Sequence, residues 1–260
     1  MSRLPLTFAC GSLTLAGTLD TAPGTTGLLI VSGGSEIRAG AFGGQSLLAA
    51  RIAEAGFPAF RFDRRGIGDS EGQDRGFRSS QRDIRAALEA FRAIAPQVER
   101  VVGFGNCDAA SALMLRGGEG FDGLVLANPW TIEIEDDAAA LPARAIRSRY
   151  AEKLKNPREL ARLLTGGVSL AKLVRGLARA ARPASSAPAG LADEMARGLA
   201  RFEGQASLLL AERDRTAQVF AQSWSQADPR LHWLSGAGHA FALPHEREWL
   251  ETRVLEALRR

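Results

Sequence analysis

Cysteine is scarce in this chain: Cys10 and Cys107 are the only two among 260 residues. Two thiols make no disulfide framework, and neither stands in a C-x-x-C or zinc-ligand spacing, so each has to be judged alone and no metal or cofactor is expected. Histidine is nearly as sparse, with His232, His239 and His245 the whole set. Few side chains can therefore move protons near neutral pH. Long apolar runs are missing as well: nowhere do about 18 apolar residues follow one another, which excludes a helix able to span a bilayer. The opening MSRLPLTFACGSLTLAGTLD alternates apolar and small polar residues and lacks the apolar core and cleavage site of a secretory signal, so a cytoplasmic location is expected. Heptads, aromatic ladders and nucleic-acid motifs are absent too, and nucleic acid is not an expected partner.

What is present fits an ordinary soluble domain: 45% hydrophobic residues, 24% charged residues and 28 glycines. The length suits one sizeable α/β core. The net charge of +4 is unevenly spread, for 141–201 carries thirteen Lys/Arg against four Asp/Glu, or +9, leaving −5 for the rest. One reading is a solvated helical exterior; the other is attraction to an anionic substrate, glycan or lipid surface.

Two alternating segments, Leu6 to Cys10 and Ser12 to Asp20, predict an edge hairpin around Gly11. The continuous apolar run Leu28-Leu29-Ile30-Val31 is of the kind buried on both faces of a parallel sheet. Further strands are expected at Pro58 to Phe62, Arg100 to Phe104, Gly123 to Ala127, Ala206 to Ala211 and Arg230 to Leu234. Helices fall between most of them: one from about Gln45 to Ala55, one opening at Ser80 with the Ser-x-x-acid form of a capping box, and a last one after Pro244. This alternation predicts an α/β fold with a mostly parallel eight-stranded sheet flanked by helices. Almost eighty residues separate Ala127 from Ala206. Apolar stripes there (Ile146, Tyr150 and Leu154; Leu170, Leu173, Val174 and Leu177) predict a helical cap inserted after the sixth strand, with Pro183 to Pro188 as its connection. The expected organisation is core 1–130, cap 131–203 and core 204–260.

Strand Val101 to Phe104 runs straight into Gly105-Asn106-Cys107-Asp108-Ala109 and then a helix-compatible stretch. Small-x-Cys-x-small between strand and helix is the spacing of a nucleophile elbow, where the reversal is so sharp that the residues two before and two after must be small. A helix N-terminus under the thiol favours thiolate. A buried structural cysteine is the plain alternative. Shifting the frame by one would make Asp108 the nucleophile, flanked by the poorer elbow residue Asn106. A literal G-x-S-x-G occurs at Gly68 to Gly72, but Ser70 has six residues between it and Asp63 at a strand end and no helix directly after it, so it is assigned to a loop.

His239 is the best-placed base, in the glycine-rich loop after the last strand, whereas His232 lies within that strand and His245 at a helix start. Asp214 is the expected orienting acid, with Glu212 in reserve; the plain role for Asp214 is N-cap of the helix near Thr216. The developing oxyanion needs backbone N–H groups, one from Asp108 and one from Gly34 or Ser35 in the loop Ser32-Gly33-Gly34-Ser35.

The run Arg61-Phe62-Asp63-Arg64-Arg65-Gly66-Ile67-Gly68-Asp69-Ser70 resembles the D-x-R-G-x-G-x-S loop of α/β hydrolases related to serine aminopeptidases and monoglyceride lipases. More narrowly, Gly33 to Gly40, the Asn106 to Ala110 elbow and the segment around Tyr150 to Leu170 resemble the exosortase A system-associated hydrolases of type 1, with Ser35 where those usually carry Pro and Ala109 where they carry Gly. The resemblance implies an α/β-hydrolase fold and a bacterial, cytosolic protein encoded near exopolysaccharide and protein-sorting genes. The order nucleophile, acid, histidine is the order of that fold. The chemistry expected is attack of Cys107 on an ester or thioester of a small acyl substrate, followed by hydrolysis or transfer. The alternative is a binding or scaffold protein of the same system that kept the fold and lost the reaction.

Overall fold

The computed structural model describes residues 2–132 and 190–260. Eight strands form one sheet: β1 (Arg3–Cys10), β2 (Leu13–Asp20), β3 (Thr26–Val31), β4 (Ala59–Phe62), β5 (Arg100–Asn106), β6 (Gly123–Ala127), β7 (Gln205–Ala211) and β8 (Leu231–Leu234), in the spatial order β1-β2-β4-β3-β5-β6-β7-β8. β1 pairs antiparallel with β2, and β2 with β4; every other pairing is parallel. The hairpin therefore lies at the edge, turning at Gly11 with φ of 64°. The mostly parallel α/β sheet expected from the sequence is the sheet observed.

The parallel strands read as unbroken apolar runs because helices cover both faces. The pleat then sends alternate residues to two cores. Leu29, Val31, Leu208 and Leu210 join one with α2 (Gln81–Ile94), α3 (Asp108–Leu115), α4 (Gly190–Ala200) and α5 (Arg215–Gln222). Leu28, Ile30, Leu209 and Ala211 join the other with α1 (Gly44–Glu54) and α6 (Pro244–Arg259). Fully burying each such side chain contributes about 1.5–3 kcal/mol. Two faces of this kind hold the C-terminal strand ends in fixed register, and the candidate site stands on those ends.

The expected capping box at Ser80 does not form. Ser80 Oγ donates to the Phe77 carbonyl at 2.6 Å and makes no cap bond. Asp83 is fully buried instead and accepts from the Arg65 backbone N–H at 3.0 Å and Nε at 2.8 Å. A tertiary ion pair has taken the carboxylate that a capping box would use. Cys10 Sγ contacts the same carboxylate at 3.5 Å, and burial first, then Asp83, pushes this thiol above its ordinary pKa. Cys10 is a structural cysteine.

Most of the expected cap, with its helical stripes and the Pro183 to Pro188 connection, lies outside the described residues. The last part of 131–203 is α4, which buries Leu191, Met195 and Leu199 against α3. The two helices approach so closely that a Cβ on Gly198 would stand 2.0 Å from the Met114 carbonyl oxygen.

Candidate active site

β5 ends at Asn106, α3 begins at Asp108, and Cys107 between them has φ 63° and ψ −129°. A non-glycine residue held at positive φ costs about 1–3 kcal/mol, and such strain collects at functional sites. The small flanking residues are needed: a Cβ on Gly105 would meet the Ala109 carbonyl carbon and Ala110 nitrogen at 2.8 Å, and Ala109 is fully buried. Alanine thus fits this position of the turn. The turn is braced from β6, since Cys107 N–H donates to the Ala127 carbonyl at 3.0 Å, and Ser111 Oγ donates to the Trp130 carbonyl at 2.7 Å while accepting from its N–H at 2.8 Å. Asp108, considered as an alternative nucleophile, is the first residue of α3 and not the apex of the turn.

His239 follows β8, and Cys107 is among the groups that shift its pKa. Its Nδ1 lies 2.9 Å from Asp214 Oδ2, a contact that is short without being in line. The Asp214 carboxylate pushes the His239 pKa up to about 10, with Cys107 adding and burial opposing. Asp214 also caps α5, accepting from Thr216 and Ala217 N–H at 3.2 and 3.1 Å. The capping role and the contact with histidine, weighed as alternatives from sequence, belong to one side chain. Glu212, the reserve acid, holds Ser235 Oγ at 2.7 Å and the Gly236 N–H at 2.8 Å and so braces the loop that carries His239. His232 is paired within the sheet opposite Leu209, its pKa lowered by burial and then by Arg253; His245 is exposed in the first turn of α6.

The loop after β3 comes down on the elbow. A Cβ on Gly33 would be 2.5 Å from the Asn106 carbonyl oxygen and 3.4 Å from Cys107 Cβ. Of the expected oxyanion donors, Asp108 N–H heads α3, where helical N–H groups have no intrahelical partner. Gly34 N–H is engaged, donating to Asp108 Oδ1 at 2.7 Å. Arg64 Nη2 stands 3.6 Å from the other oxygen of that carboxylate and also donates to the Gly34 carbonyl. Ser35 is exposed beside it.

A family model described as the alpha/beta hydrolase family matches residues 28–252, from β3 into α6. The chain belongs to the alpha/beta hydrolase family. None of the curated proteins compared with it is significantly similar. Among solved structures it is similar to the alpha/beta hydrolase GrgF from Penicillium sp. sh18, with 17% identity over 100% of this chain and 99% of that one at a TM-score of 0.67. The esterase Pf2001 of Pyrococcus furiosus shares 15% identity over 100% of this chain and 91% of that one, with a TM-score of 0.61. The proline iminopeptidase of Mycobacterium smegmatis shares 17% over 98% of each chain, with a TM-score of 0.55. At such identities these likenesses concern the fold.

The rival serine of this hydrolase is built into its frame. Ser70 is buried; its Oγ donates to the Asp63 carbonyl at 2.7 Å and accepts from Ala16 N–H at 2.9 Å, tying β2 to the end of β4. Asp63, fully buried, accepts from the Arg38 backbone N–H at 2.5 Å and Asp69 N–H at 3.1 Å. The D-x-R-G-x-G-x-S run is thus a brace whose Arg64 reaches the loop after β3.

Sequence reasoning does not single out Asn128, and it reads Asn106 only as an elbow residue. Asn106 and Asn128 both donate from Nδ2 to the His239 carbonyl, at 3.1 and 3.2 Å. Asn128 Nδ2 also reaches Asn106 Oδ1 at 3.1 Å, while its Oδ1 accepts from Ala211 N–H at 2.8 Å. Asn128 is fully buried at φ 42°. The signal available was a polar residue directly after the apolar run Gly123 to Ala127, where a buried amide must find partners. Among the described residues no three of His, Cys, Asp and Glu form a group able to hold a metal ion, and no helix is long and apolar enough to cross a membrane.

Proposed function

We propose that this hydrolase uses Cys107 as a nucleophile on an ester or thioester carbonyl, with His239 moving the proton and Asp214 orienting His239. The supporting observation is the arrangement: a half-buried cysteine at the apex of a strand-turn-helix elbow, and a histidine whose pKa that cysteine helps to raise, with a carboxylate 2.9 Å from its Nδ1. His239, its pKa pushed up to about 10, is basic enough to take the Cys107 proton. The sulfur attacks the carbonyl carbon, and the developing oxyanion is held by the N–H groups of Asp108 and Ser35. Collapse expels the alcohol or thiol, which takes the proton from His239. That leaves the ring neutral and able to serve as base for water or another acceptor. Its regained proton then goes to the departing Cys107 sulfur.

The resemblance of Gly33 to Gly40 and Asn106 to Ala110 to exosortase-associated hydrolases supports a cytoplasmic role beside exopolysaccharide and protein sorting. In that setting the basic 141–201 segment would meet an anionic glycan or lipid surface; salt-independent binding to liposomes and polysaccharide removes this part of the reading.

The test of the chemistry is mass spectrometry of the protein after incubation with p-nitrophenyl butyrate. A butyryl adduct on Cys107, absent from Cys107→Ala along with turnover, is the expected result; undiminished turnover by that variant overturns it. One observation favours the non-catalytic reading: Asp108 Oδ1 occupies the Gly34 N–H. That reading predicts alkylation of Cys107 by iodoacetamide no faster than a free thiol of pKa about 8.5.

A further inference from the structure

A cavity of about 410 Å³ lies between α1 and α6, on the sheet face opposite α3. Its wall includes Phe104, Phe241, Leu48 and Leu250, all buried. It also includes Asn106 and Ala240, the residue before Cys107 and the residue after His239. The cavity wall thus includes the chain neighbour of each member of the proposed reacting pair, while Cys107 and His239 themselves do not line it. Its size is within the range of small-molecule sites, about 300–1,000 Å³. Gln45 is its one deeply buried polar wall residue, 8% exposed; Oε1 accepts from Ser32 Oγ at 2.8 Å, and Nε2 forms no hydrogen bond to a described residue. Arg51 Nε pairs with Glu251 at 3.1 Å, and Glu36, Arg247 and Glu248 also line the cavity.

We propose that this cavity receives the acyl portion of the substrate, a medium-length aliphatic chain, with the Gln45 amide as the donor for an oxygen carried on it. The proposal rests on Cys107 being the acylated residue. The wall formed by Phe104, Phe241, Leu48 and Leu250 suits methylene groups. Each methylene that leaves water for such a wall is expected to raise kcat/KM by up to about fourfold.

Gly44 gives a clean way to fill the space. It lines the cavity, opens α1 with helical φ −61° and ψ −41°, and no atom lies within 4 Å of an added Cβ. The experiment measures kcat/KM for p-nitrophenyl butyrate, octanoate and palmitate with the wild type, Gly44→Ala and Gly44→Phe, with melting temperatures to establish that the variants are folded. Octanoate is expected to be the best substrate of the wild type. In Gly44→Phe the octanoate-to-butyrate ratio is expected to fall at least tenfold, and in Gly44→Ala by less. An unchanged ratio in a folded Gly44→Phe overturns the proposal, as does a wild type indifferent to chain length. If folded Gly44→Phe does not answer the question because it loses all turnover, Gln45→Met is read in its place: a greater loss with 3-hydroxyoctanoyl than with octanoyl thioesters supports the site, and equal losses overturn it. The acyl adduct on Cys107, followed in the same samples, separates the two ideas: an adduct with unchanged ratios removes the pocket and leaves the nucleophile, whereas turnover without an adduct removes the nucleophile.

Discussion

Two stretches of this chain carry a nucleophile-type residue between small residues, Gly68 to Gly72 around Ser70 and Gly105 to Ala109 around Cys107. Ser70 matches the literal serine-hydrolase string, yet its hydroxyl is consumed by the Asp63 carbonyl and the Ala16 N–H in the interior. Cys107 matches it less well, yet it is half-buried at positive φ between a strand and a helix, and it helps to raise the pKa of His239. A hydroxyl with both its donor and acceptor roles filled by backbone is a brace. A side chain held in a strained conformation beside a group of shifted pKa is a candidate for chemistry.

The sharpest break in that comparison is mutation of each residue to alanine. Cys107→Ala is expected to lower kcat on acyl esters by at least about a thousandfold, as removal of a nucleophile does elsewhere. Ser70→Ala is expected to retain turnover within a few-fold while losing about 1–3 kcal/mol of stability in urea titration, because the buried Ala16 N–H loses its acceptor. The reverse pattern would return Ser70 to candidacy.

Asp214→Asn comes next. Loss of the carboxylate is expected to cut kcat by about a hundredfold to ten-thousandfold. Asparagine still caps a helix, so α5 should lose no more than about 1 kcal/mol. The pH profile adds a second readout. His239 has its pKa raised, so the stability it contributes is fully present below its unfolded value of about 6.5 and is lost as pH rises through about 10. Activity that needs the cationic ring should fall over the same alkaline limb, and Asp214→Asn should move that limb toward neutrality. An alkaline limb unmoved by the substitution would separate Asp214 from His239.

Asn128→Ala is expected to reduce kcat about tenfold, with stability lower by about 1–3 kcal/mol through the unsatisfied Ala211 N–H. A merely structural asparagine would lower stability without altering the pH profile; one that places His239 should alter both. The smallest effect is expected for Glu212→Gln, which keeps a side chain able to accept from Ser235 and Gly236: turnover within about twofold and stability within about 1 kcal/mol. A large loss of kcat there would make Glu212 the acid.

Much of this was legible in the chain. The runs Leu28 to Val31 and Leu208 to Ala211 announce strands buried on both faces, because no solvated strand tolerates such a run. The elbow is legible for a local reason too, since Gly105 and Ala109 answer a steric demand made within five residues. Asp214 and His239 could be singled out by their position after strands. What escaped notice depends on distant partners: Asn128 meets a carbonyl 111 residues away, and Gly34 N–H is taken by Asp108, 74 residues on. At Ser80 the local pattern misled, since Arg65 claims Asp83 across 18 residues.

The sequence by itself determined the alternation of strands and helices, the strained turn at Cys107 and the set of residues from which a base and an acid could be drawn. These follow from side-chain size, periodicity and chain order, which act over a few residues. Only the tertiary structure decided that Asp214 and not Glu212 faces His239, that Ser70 is a brace, that two asparagines hold the histidine loop and that a cavity adjoins the elbow. Hydrogen bonds and voids of that kind are satisfied or left open by whatever the fold brings alongside, and no local pattern specifies it.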